Sequence, residues 1–543
     1  MSEERKPVRR ERELTWEAVR QRNSVERIKE EKLPFDLIDE LPRLAETPYE
    51  AVDEADILRL QWWGLYHDKP KIGEFMMRVK IAGGIVTPAQ LKAIAEISRD
   101  FGEGSGEITT RQCIQIHHLH LPAIPEVFAR LKAAGLTTSG ACGDILRNIT
   151  GCPVAGISQE ELFDPRPAMQ QLVDFFYGNR DYSDLPRKHK WTMACCHYHC
   201  NAPEMHDVGL IGAVQDGVQG FAITVGGGLS TVPRIAKSFG VFAAESELLE
   251  VMRGILDEWS NDLNYRRSRG KARFKFMIDD HGPDAVRERV EARLGRKLTP
   301  LKELPQPIGR TDHMGVHPQK QAGLHYVGVP VFPGIFPVDK MLAVAELAAE
   351  YGDDIRFTRE QNFIITGVPT AKVDALVAAL AELGYRLDGN AVRHHSIGCT
   401  GNPLCNFAVG DTKPRLVRLV DHLEARFGER IAHLRIHLDG CPHACGQHWV
   451  GDIGIQGTTL TTADGKVPAY DILLRGALGP GAAIAKAVGR RVPSDDLDLH
   501  VERLIAAYLD WRKAEESIQS FFAERSDDEL KAIMQGEAAA LAG

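Results

Sequence analysis

The fold is decided by residues 79–119, VKIAGGIVTPAQLKAIAEISRDFGEGSGEITTRQCIQIHHL, because a related stretch recurs in the second half of the chain. Residues 329–368 read VPVFPGIFPVDKMLAVAELAAEYGDDIRFTREQNFIITGV, which places Gly334 opposite Gly84. In both copies β-branched residues flank a segment whose apolar residues recur with the period of a helix. The sequence therefore predicts a strand–turn–helix–strand unit that is used twice.

The similarity between the two copies continues downstream. GCPVAGI, from Gly151, aligns with GNPLCNF, from Gly401, and the segment around CCHYHC aligns with the segment around GCPHACG. This alignment places Cys196 and Cys200 opposite Cys441 and Cys445. We therefore predict an α/β (α+β) fold with two duplicated mixed-sheet halves, residues 74–230 and 324–479, related by pseudo-two-fold symmetry around a central cofactor site.

Three further segments complete the expected organisation. Residues 1–73 are predicted to form an N-terminal helical arm, residues 231–323 a helical connecting segment, and residues 480–543 a C-terminal helical tail. A chain of 543 residues is too long for one core, so several domains are expected.

Composition excludes some classes of protein. The net charge of −9 gives no basic excess for nucleic acid, and no apolar run is long enough to cross a membrane. The N-terminal segment carries both charge signs and has no apolar core like that of a signal peptide, which predicts a cytoplasmic protein. Ten cysteines in such a protein are expected to be ligands, reactive thiols or buried residues rather than disulfides.

Four cysteines form the most informative pattern. Cys399 and Cys405 are separated by five residues, and Cys441 and Cys445 by three. Zinc sites favour shorter arms, whereas four thiolates suit an iron–sulfur cluster; the alternative is four unrelated buried thiols.

The first half provides a comparison for this pattern. The alignment places Ile149 and Ala155 opposite Cys399 and Cys405, so a second four-thiolate site is not expected there. Zinc binding by CCHYHC is disfavoured, since alternating residues of a strand do not all converge on one ion.

The first half carries cations that the second half lacks. Guanidinium and ammonium groups bind small anions and neutralise charge that develops on them. In the alignment of the two halves, Gly328 falls opposite Arg78 and Ile397 falls opposite Arg147. Each cation alone would be read as a surface charge, but together they predict an anion-binding catalytic site that comprises Arg78, Arg147, Lys188 and Lys190.

With these motifs in place, the chain from Leu60 onwards resembles the ferredoxin-dependent nitrite and sulfite reductase family, the sirohaem enzymes. The resemblance implies a 4Fe–4S cluster on the four cysteines, with Cys445 also the axial ligand of the sirohaem iron. It implies that each half consists of a ferredoxin-like half-domain followed by a second domain, which carries the anion pocket in the first half and the cofactors in the second. It places Arg111, Gln112, Gln319 and Lys320 near the macrocycle.

The implied reaction is the six-electron reduction of nitrite to ammonia, with sulfite reduction to sulfide as the alternative. The loops around the cysteines resemble those of nitrite reductases. Lys190, however, occupies a position where sulfite reductases carry lysine and plant-type nitrite reductases carry asparagine. We favour nitrite; an electron carrier without turnover is the less favoured alternative.

Electrons are expected from ferredoxin, because the chain has no flavin module and no dinucleotide fingerprint. The basic stretch YRRSRGKARFKF, from Tyr265, could bind an acidic carrier, bind sirohaem carboxylates, or form a solvated helix face. Tyr66 and Cys142 are expected near the pocket, either covalently linked or as a packed tyrosine and a free thiol. A monomer that binds neither nucleic acid nor membrane is expected.

Overall fold

The computed structural model describes residues 14–463 and 465–537, so the ends of the expected N-terminal arm and C-terminal tail, residues 1–13 and 538–543, lie outside the described residues. The strands are β1 (Leu65–His67), β2 (Glu74–Val79), β3 (Ile85–Val86), β4 (Ser105–Ile108), β5 (Ile114–His120), β6 (Thr150–Gly151), β7 (Trp191–Ala194), β8 (Val208–Gln215), β9 (Val218–Val225), β10 (Lys237–Ala244), β11 (Gly315–Pro318), β12 (Leu324–Val329), β13 (Ile335–Pro337), β14 (Ile355–Phe357), β15 (Phe363–Pro369), β16 (Ile397–Gly398), β17 (Ile436–Asp439), β18 (Ile453–Thr462), β19 (Gly465–Leu474) and β20 (Lys486–Pro493).

The helices are α1 (Trp16–Arg22), α2 (Ser24–Glu31), α3 (Leu41–Glu46), α4 (Glu54–Arg59), α5 (Pro88–Phe101), α6 (Ile124–Ala133), α7 (Arg166–Phe176), α8 (Leu248–Ser260), α9 (Phe274–Leu294), α10 (Val338–Tyr351), α11 (Val373–Glu382), α12 (Val392–His395), α13 (Lys413–Phe427), α14 (Leu497–Trp511), α15 (Ile518–Ala523) and α16 (Asp527–Gln535). None of the helices in these described residues combines the length and hydrophobicity needed to cross a bilayer.

Two central sheets are formed by the repeated unit. Their strand orders are β1-β2-β5-β4-β13 and β11-β12-β15-β14-β3. The short strand β3 of the first copy thus pairs with β14 of the second, and β13 of the second pairs with β4 of the first. Each sheet is completed by a strand from the other copy, which ties the two copies together.

The central sheets share one hydrophobic core with the two repeated helices. Helix α5 begins at a capping box between Thr87 and Gln90, with Pro88 in its first turn, and buries Leu91 and Ile94. The equivalent helix α10 buries Met341 and other residues in the same core. The two copies therefore fold around a common core rather than around two separate ones.

The matched glycines explain why the two copies approach so closely. Gly84 has φ +76°, and a Cβ atom there would lie 2.7 Å from the Phe357 carbonyl oxygen and 2.8 Å from Cβ of Gln112. Gly334 has φ +83° and would place a Cβ atom 2.9 Å from Cβ of Gln361. Only glycine combines this backbone conformation with the absence of a side chain.

Two glutamines repeat the same contacts across the pseudo-two-fold axis. The Gln112 amide donates to the Phe357 carbonyl (2.9 Å) and accepts from the Gly151 amide (2.8 Å). The Gln361 amide donates to the Ile108 carbonyl (2.9 Å) and accepts from the Gly398 amide (3.3 Å). Each glutamine thus links the central sheets to one outer sheet.

The outer sheets belong to two further domains, each with its own core. Their orders are β10-β9-β8-β7-β6 and β16-β17-β18-β19-β20. In the first outer sheet β6 pairs with β7 and β7 with β8 in parallel, and in the second β16 pairs with β17 and β17 with β18 in parallel; the other pairings are antiparallel. Strand β10 comes from the expected connecting segment and β20 from the expected tail. The expected α/β class with duplicated mixed sheets is confirmed.

Replacing Gly84 by alanine should lower the apparent melting temperature, because the added methyl group meets the Phe357 carbonyl inside the interface between the copies. We expect a loss of roughly 1–3 kcal/mol, typical of strained or overpacked buried positions. Thermal unfolding of the purified protein measures it.

Gly104→Ala is the matched control, because Gly104 has φ +69° but no atom within 4 Å of the added methyl group. This variant measures the destabilisation that comes from placing alanine in a left-handed backbone conformation alone. Equal melting temperatures for the two variants would contradict the packing argument.

Candidate cofactor and anion site

The four cysteines of the second half lie around the ends of two parallel strands. Cys399 directly follows β16, and Cys441 follows β17 after one residue, while Cys405 and Cys445 lie in the loops that come next. Burial, together with nearby Cys445, Asp439 and Cys405, raises the pKa of the Cys441 thiol to about 12. All ten cysteines are free thiols. The second half therefore brings together the four predicted thiols.

Backbone amides and a buried aspartate hold these loops. The Gly440 amide donates to Sγ of Cys399 (3.3 Å). Asp439 accepts from the Gly446 amide (2.6 Å) and pairs with Nδ1 of His448 (2.8 Å). Sequence reasoning missed Asp439, although its place in HLDGC, at the end of a buried strand, is the available signal. The contacts of Asp439 thus fix the position of the loop that carries Cys445.

Cys445 faces the first half. The Thr110 hydroxyl donates to the Cys445 carbonyl (3.0 Å), so the TTRQ loop lies directly against it. Lys188 and Lys190 are close enough to lower the pKa of the Cys445 thiol, which burial raises. The side chain is nevertheless accessible to solvent. The thiol is thus open to solvent and still surrounded by groups of both halves, as in the wall of a cleft between them.

The predicted cations line the same cleft and repel one another. Burial and neighbouring cations lower the pKa of Lys188 to about 7 and that of Lys190 well below its usual range. Burial lowers the pKa of Arg111 to about 10, and its Nε has no hydrogen-bond partner among the described residues. The cleft therefore carries positive charge that the described residues do not fully neutralise.

Uncharged groups hold the two arginines of this set. Arg147 donates through Nε and Nη2 to the Gly143 carbonyl (3.0 and 2.8 Å) and through Nη1 to the Ala141 carbonyl (3.1 Å). Arg78 donates to Oε1 of Gln115 (2.6 Å) and to Sγ of Cys142 (3.0 Å). Neither arginine has a carboxylate among these partners, so both guanidinium groups are oriented without being neutralised.

Tyr66 and Cys142 adjoin these arginines. Burial raises the pKa of the Tyr66 hydroxyl, with a further contribution from Cys142. The two residues are therefore neighbours, as expected, and Cys142 is a free thiol.

The remaining predicted cofactor residues have other neighbours. The Gln112 side chain is engaged by the backbone groups described above. The Gln319 side chain accepts from the Gly367 amide (2.7 Å), and Lys320 pairs with Glu161 (2.6 Å). The Lys320 amide donates to the Ile157 carbonyl (2.8 Å), so both residues lie against the first half's loop after β6. Their predicted cofactor-binding role near the macrocycle stays a prediction.

The basic stretch from Tyr265 is largely used within the protein. Arg266 pairs with Glu26 (2.9 Å), Arg269 with Asp144 (2.5 Å) and Arg273 with Asp207 (2.7 Å). Lys275 donates to the Leu229 carbonyl (2.9 Å). The basic groups of this stretch are thus engaged in ion pairs and hydrogen bonds within the protein, and their buried partners include Asp207. These contacts favour none of the three interpretations given above. Asp207 also accepts from the Lys190 amide (2.8 Å).

The structural register differs from the sequence alignment at one point. Gly151 of β6 pairs with Met193 of β7, just as Gly398 of β16 pairs with Leu438 of β17. Cys152, not Ile149, therefore occupies the position equivalent to Cys399. The alignment was displaced by three residues because the loops that precede these strands differ in length. The first half thus has thiols at three of the four equivalent positions: Cys152, Cys196 and Cys200.

Clustered thiols beside a cation-lined cleft, at the junction of duplicated α/β halves, define a redox protein with a cysteine-bound metal centre. The family model "Nitrite and sulphite reductase 4Fe-4S domain" matches residues 142–298 and 389–520, and "Nitrite/Sulfite reductase ferredoxin-like half domain" matches residues 67–134 and 317–383. The chain belongs to the nitrite and sulphite reductase family, as the resemblance indicated, and it carries an iron–sulfur cluster domain.

Relatives named for nitrite and relatives named for sulfite match this chain at nearly the same identity. The assimilatory ferredoxin-dependent nitrite reductase of Haloferax mediterranei is 34% identical over 90% of this chain and 89% of its own. The sulfite reductase [ferredoxin] of Mycobacterium tuberculosis is 32% identical over 94% and 96%. The solved structure of the Mycobacterium tuberculosis NirA protein superposes with a TM-score of 0.89 at 31% identity, covering 94% of this chain and 97% of that one.

Replacing Cys405 by serine should abolish the visible absorbance and most of the bound iron, because a serine hydroxyl does not replace the thiolate that an iron–sulfur cluster requires. The spectrum and the iron content of the purified variant measure this. Cys195→Ala is the control, since Cys195 is buried in the core of the first outer domain. Retention of the full iron content by Cys405→Ser would contradict the cluster assignment.

Proposed function

We propose that the protein reduces nitrite to ammonia with six electrons from reduced ferredoxin, at a sirohaem coupled to a 4Fe–4S cluster. The observation that carries the proposal is that Cys445 of one half shares its surroundings with Lys188 and Lys190 of the other. A thiol that ligates a redox centre thereby faces groups that bind an oxyanion. Sulfite reduction to sulfide is the second candidate.

The cofactors would be held by residues with matching chemistry. Cys399, Cys405, Cys441 and Cys445 would hold the cluster, and Cys445 would also bind the sirohaem iron. The uncompensated cations of the cleft, including Arg111 with its unpartnered Nε, suit the many carboxylates of sirohaem. When bound, the two groups supply an open iron position and a store of electrons. The cluster–sirohaem pair thus fits the residues present.

The cations would bind the substrate anion and supply protons to it. Arg147 and Arg78 are held by carbonyl and amide oxygens, so an anion in the cleft meets guanidinium groups that are already oriented. The low pKa of Lys188, about 7, means that its Nζ holds a proton only weakly near neutral pH. A bound anion strengthens the ammonium form, and Nζ can then donate that proton as an N–O bond breaks.

The substrate preference depends on a balance of charges. Sulfite as a dianion interacts with each cation more strongly than monovalent nitrite does, and Lys190 adds a further cation to the cleft. The loops around the cluster cysteines favour nitrite. We give precedence to nitrite because burial, with repulsion from Arg111 and Lys188, keeps the pKa of Lys190 well below its usual range, so only part of its charge is available to favour the dianion.

Ferredoxin would deliver electrons at the surface beside the cluster loops. Phe407 is 62% exposed and packs against His443, two residues after Cys441. Ile72, which is 61% exposed, lies nearby, because the Lys69 amide donates to the Leu404 carbonyl (3.0 Å). With the exposed Lys71, this apolar and basic surface matches a small acidic carrier and gives a short path to the cluster.

A monomeric state, a cytoplasmic location and the absence of nucleic-acid and membrane partners complete the proposal, on the sequence arguments given above.

Steady-state reduction of nitrite and of sulfite, with reduced ferredoxin as donor, tests the function. We expect a higher kcat/KM for nitrite, with ammonia as the product. Lys190→Asn should raise the nitrite-to-sulfite ratio of kcat/KM, because the dianion loses about 1–2 kcal/mol more than the monoanion, roughly a 5–30-fold change.

Lys92→Asn is the matched control, because Lys92 is exposed on α5, opposite the face that packs into the core. A higher wild-type kcat/KM for sulfite would establish the second candidate instead. A protein with both cofactors that turns over neither anion would refute the enzyme proposal.

Phe407→Ala should raise the KM for ferredoxin several-fold, since an exposed aromatic anchor contributes about 1–2 kcal/mol to an interface, while leaving the rate with reduced viologen unchanged. Leu499→Ala, which changes another exposed apolar residue (44%), is the control. Equal losses with both donors would place the effect of Phe407 within the protein rather than at the ferredoxin interface.

A further inference from the structure

The first half contains a compact group of three thiols outside the proposed active site. Sγ of Cys200 lies 3.5 Å from Sγ of Cys152 and 4.0 Å from Sγ of Cys196, and all three sulfurs lie within 4.8 Å of one another. Cys152 follows β6, and the other two lie in the loop after β7. The expectation against zinc at CCHYHC was therefore wrong in its premise, because Cys196 and Cys200 are not alternating residues of a strand. The reaction proposed above uses none of them.

The spacing of these sulfurs is that of ligands of a single ion. Zinc–sulfur bonds of about 2.3 Å in a tetrahedral site place two sulfurs about 3.8 Å apart. Ligands of a four-iron cluster each bind a different iron and so stand further apart. Within residues 14–463 and 465–537, no three of Cys399, Cys405, Cys441 and Cys445 approach one another as closely. The equivalent sites of the two halves thus differ in size.

His313 of the connecting segment is the candidate fourth ligand; its ring nitrogens do not lie within 4.8 Å of all three sulfurs, so the ring would turn toward them on binding an ion. Both ring nitrogens of His313 are buried and have no hydrogen-bond partner in the described part of the chain. The ring interacts electrostatically with Cys196, and its centroid lies 6.4 Å from the ring of Tyr326. Tyr326 packs in one apolar cluster with Cys152 and Cys196. An imidazole with two unused nitrogens in such surroundings is suited to a metal ion.

We propose that Cys152, Cys196, Cys200 and His313 bind a structural zinc ion. Three thiolates and one imidazole form a closed tetrahedral set, which zinc favours and which leaves no position for a substrate. The apolar surroundings, which include Val154 and Ile157, keep the site dry. A disulfide would use two of the thiols and leave the third, and the histidine, without a role.

The ion would join three separate segments: the loop after β6, the loop after β7, and the connecting segment before β11. The second half's loop covers the site as well, because Nε of Arg359 donates to the Cys200 carbonyl (3.3 Å). This contact mirrors that of Thr110 with the Cys445 carbonyl. Zinc at this position would stabilise the folded chain, since the site is assembled only on folding.

Elemental analysis of the cofactor-loaded protein, after dialysis against a weak chelator, tests the proposal. We expect about one zinc per chain, as a closed site of this kind binds a single ion. Cys152→Ser and Cys200→Ser should lose the zinc, and His313→Ala should hold substoichiometric zinc. All three should keep the iron content and the visible spectrum. Cys195→Ala, which changes the thiol next to the site, should keep both metals.

Alkylation followed by peptide mapping gives an independent readout on the wild-type protein, which remains informative if the variants fail to fold. Cys152, Cys196 and Cys200 should be protected until a strong chelator is added, and the melting temperature should fall when the zinc is removed. A Cys152–Cys200 disulfide, copper or additional iron in place of zinc, or three thiols that react freely without chelator would each overturn the proposal.

Discussion

The exchange of short strands between the two central sheets is the constraint on which the rest of the structure depends. Because β3 completes the sheet of the second copy and β13 that of the first, the two copies cannot separate without breaking both sheets. Gln112 and Gln361 extend this link to the outer domains through backbone groups on either side of the axis. The cleft between the halves therefore has walls whose relative positions are fixed by the main chain.

The two halves have diverged in complementary ways around that cleft. One wall supplies Cys445, held by Asp439 and its loop, and the other supplies lysines and arginines that are buried close together. Packing like charges at such depth costs free energy, and the cost falls only when an anion or a carboxylate-rich cofactor enters. The buried lysines and arginines of the cleft therefore favour the binding of an anionic group and do not favour folding of the empty protein.

Much of this architecture could be predicted from the sequence, because the Gly84 and Gly334 stretches repeat both the helical period and the turn chemistry. The four thiols of the second half could also be located from their spacing. The exchange of β3 and β13 could not, since strands of two or three residues carry no periodic signal. The equivalence of Cys152 with Cys399 was hidden by unequal loops, and only strand register shows it. The basic stretch from Tyr265 appeared free because its partners, among them Asp144 and Asp207, are distant in sequence.

The exchanged strands also bear on how such a chain could have arisen. A polypeptide with a single copy of the unit would leave its central sheet with four strands and an open edge at β4 or β14, and would project its own short strand into solvent. Two such polypeptides would satisfy each other's edges in a symmetric pair with two identical sites. The present protein has the form of that pair joined into one chain, which allows each site to change independently of the other.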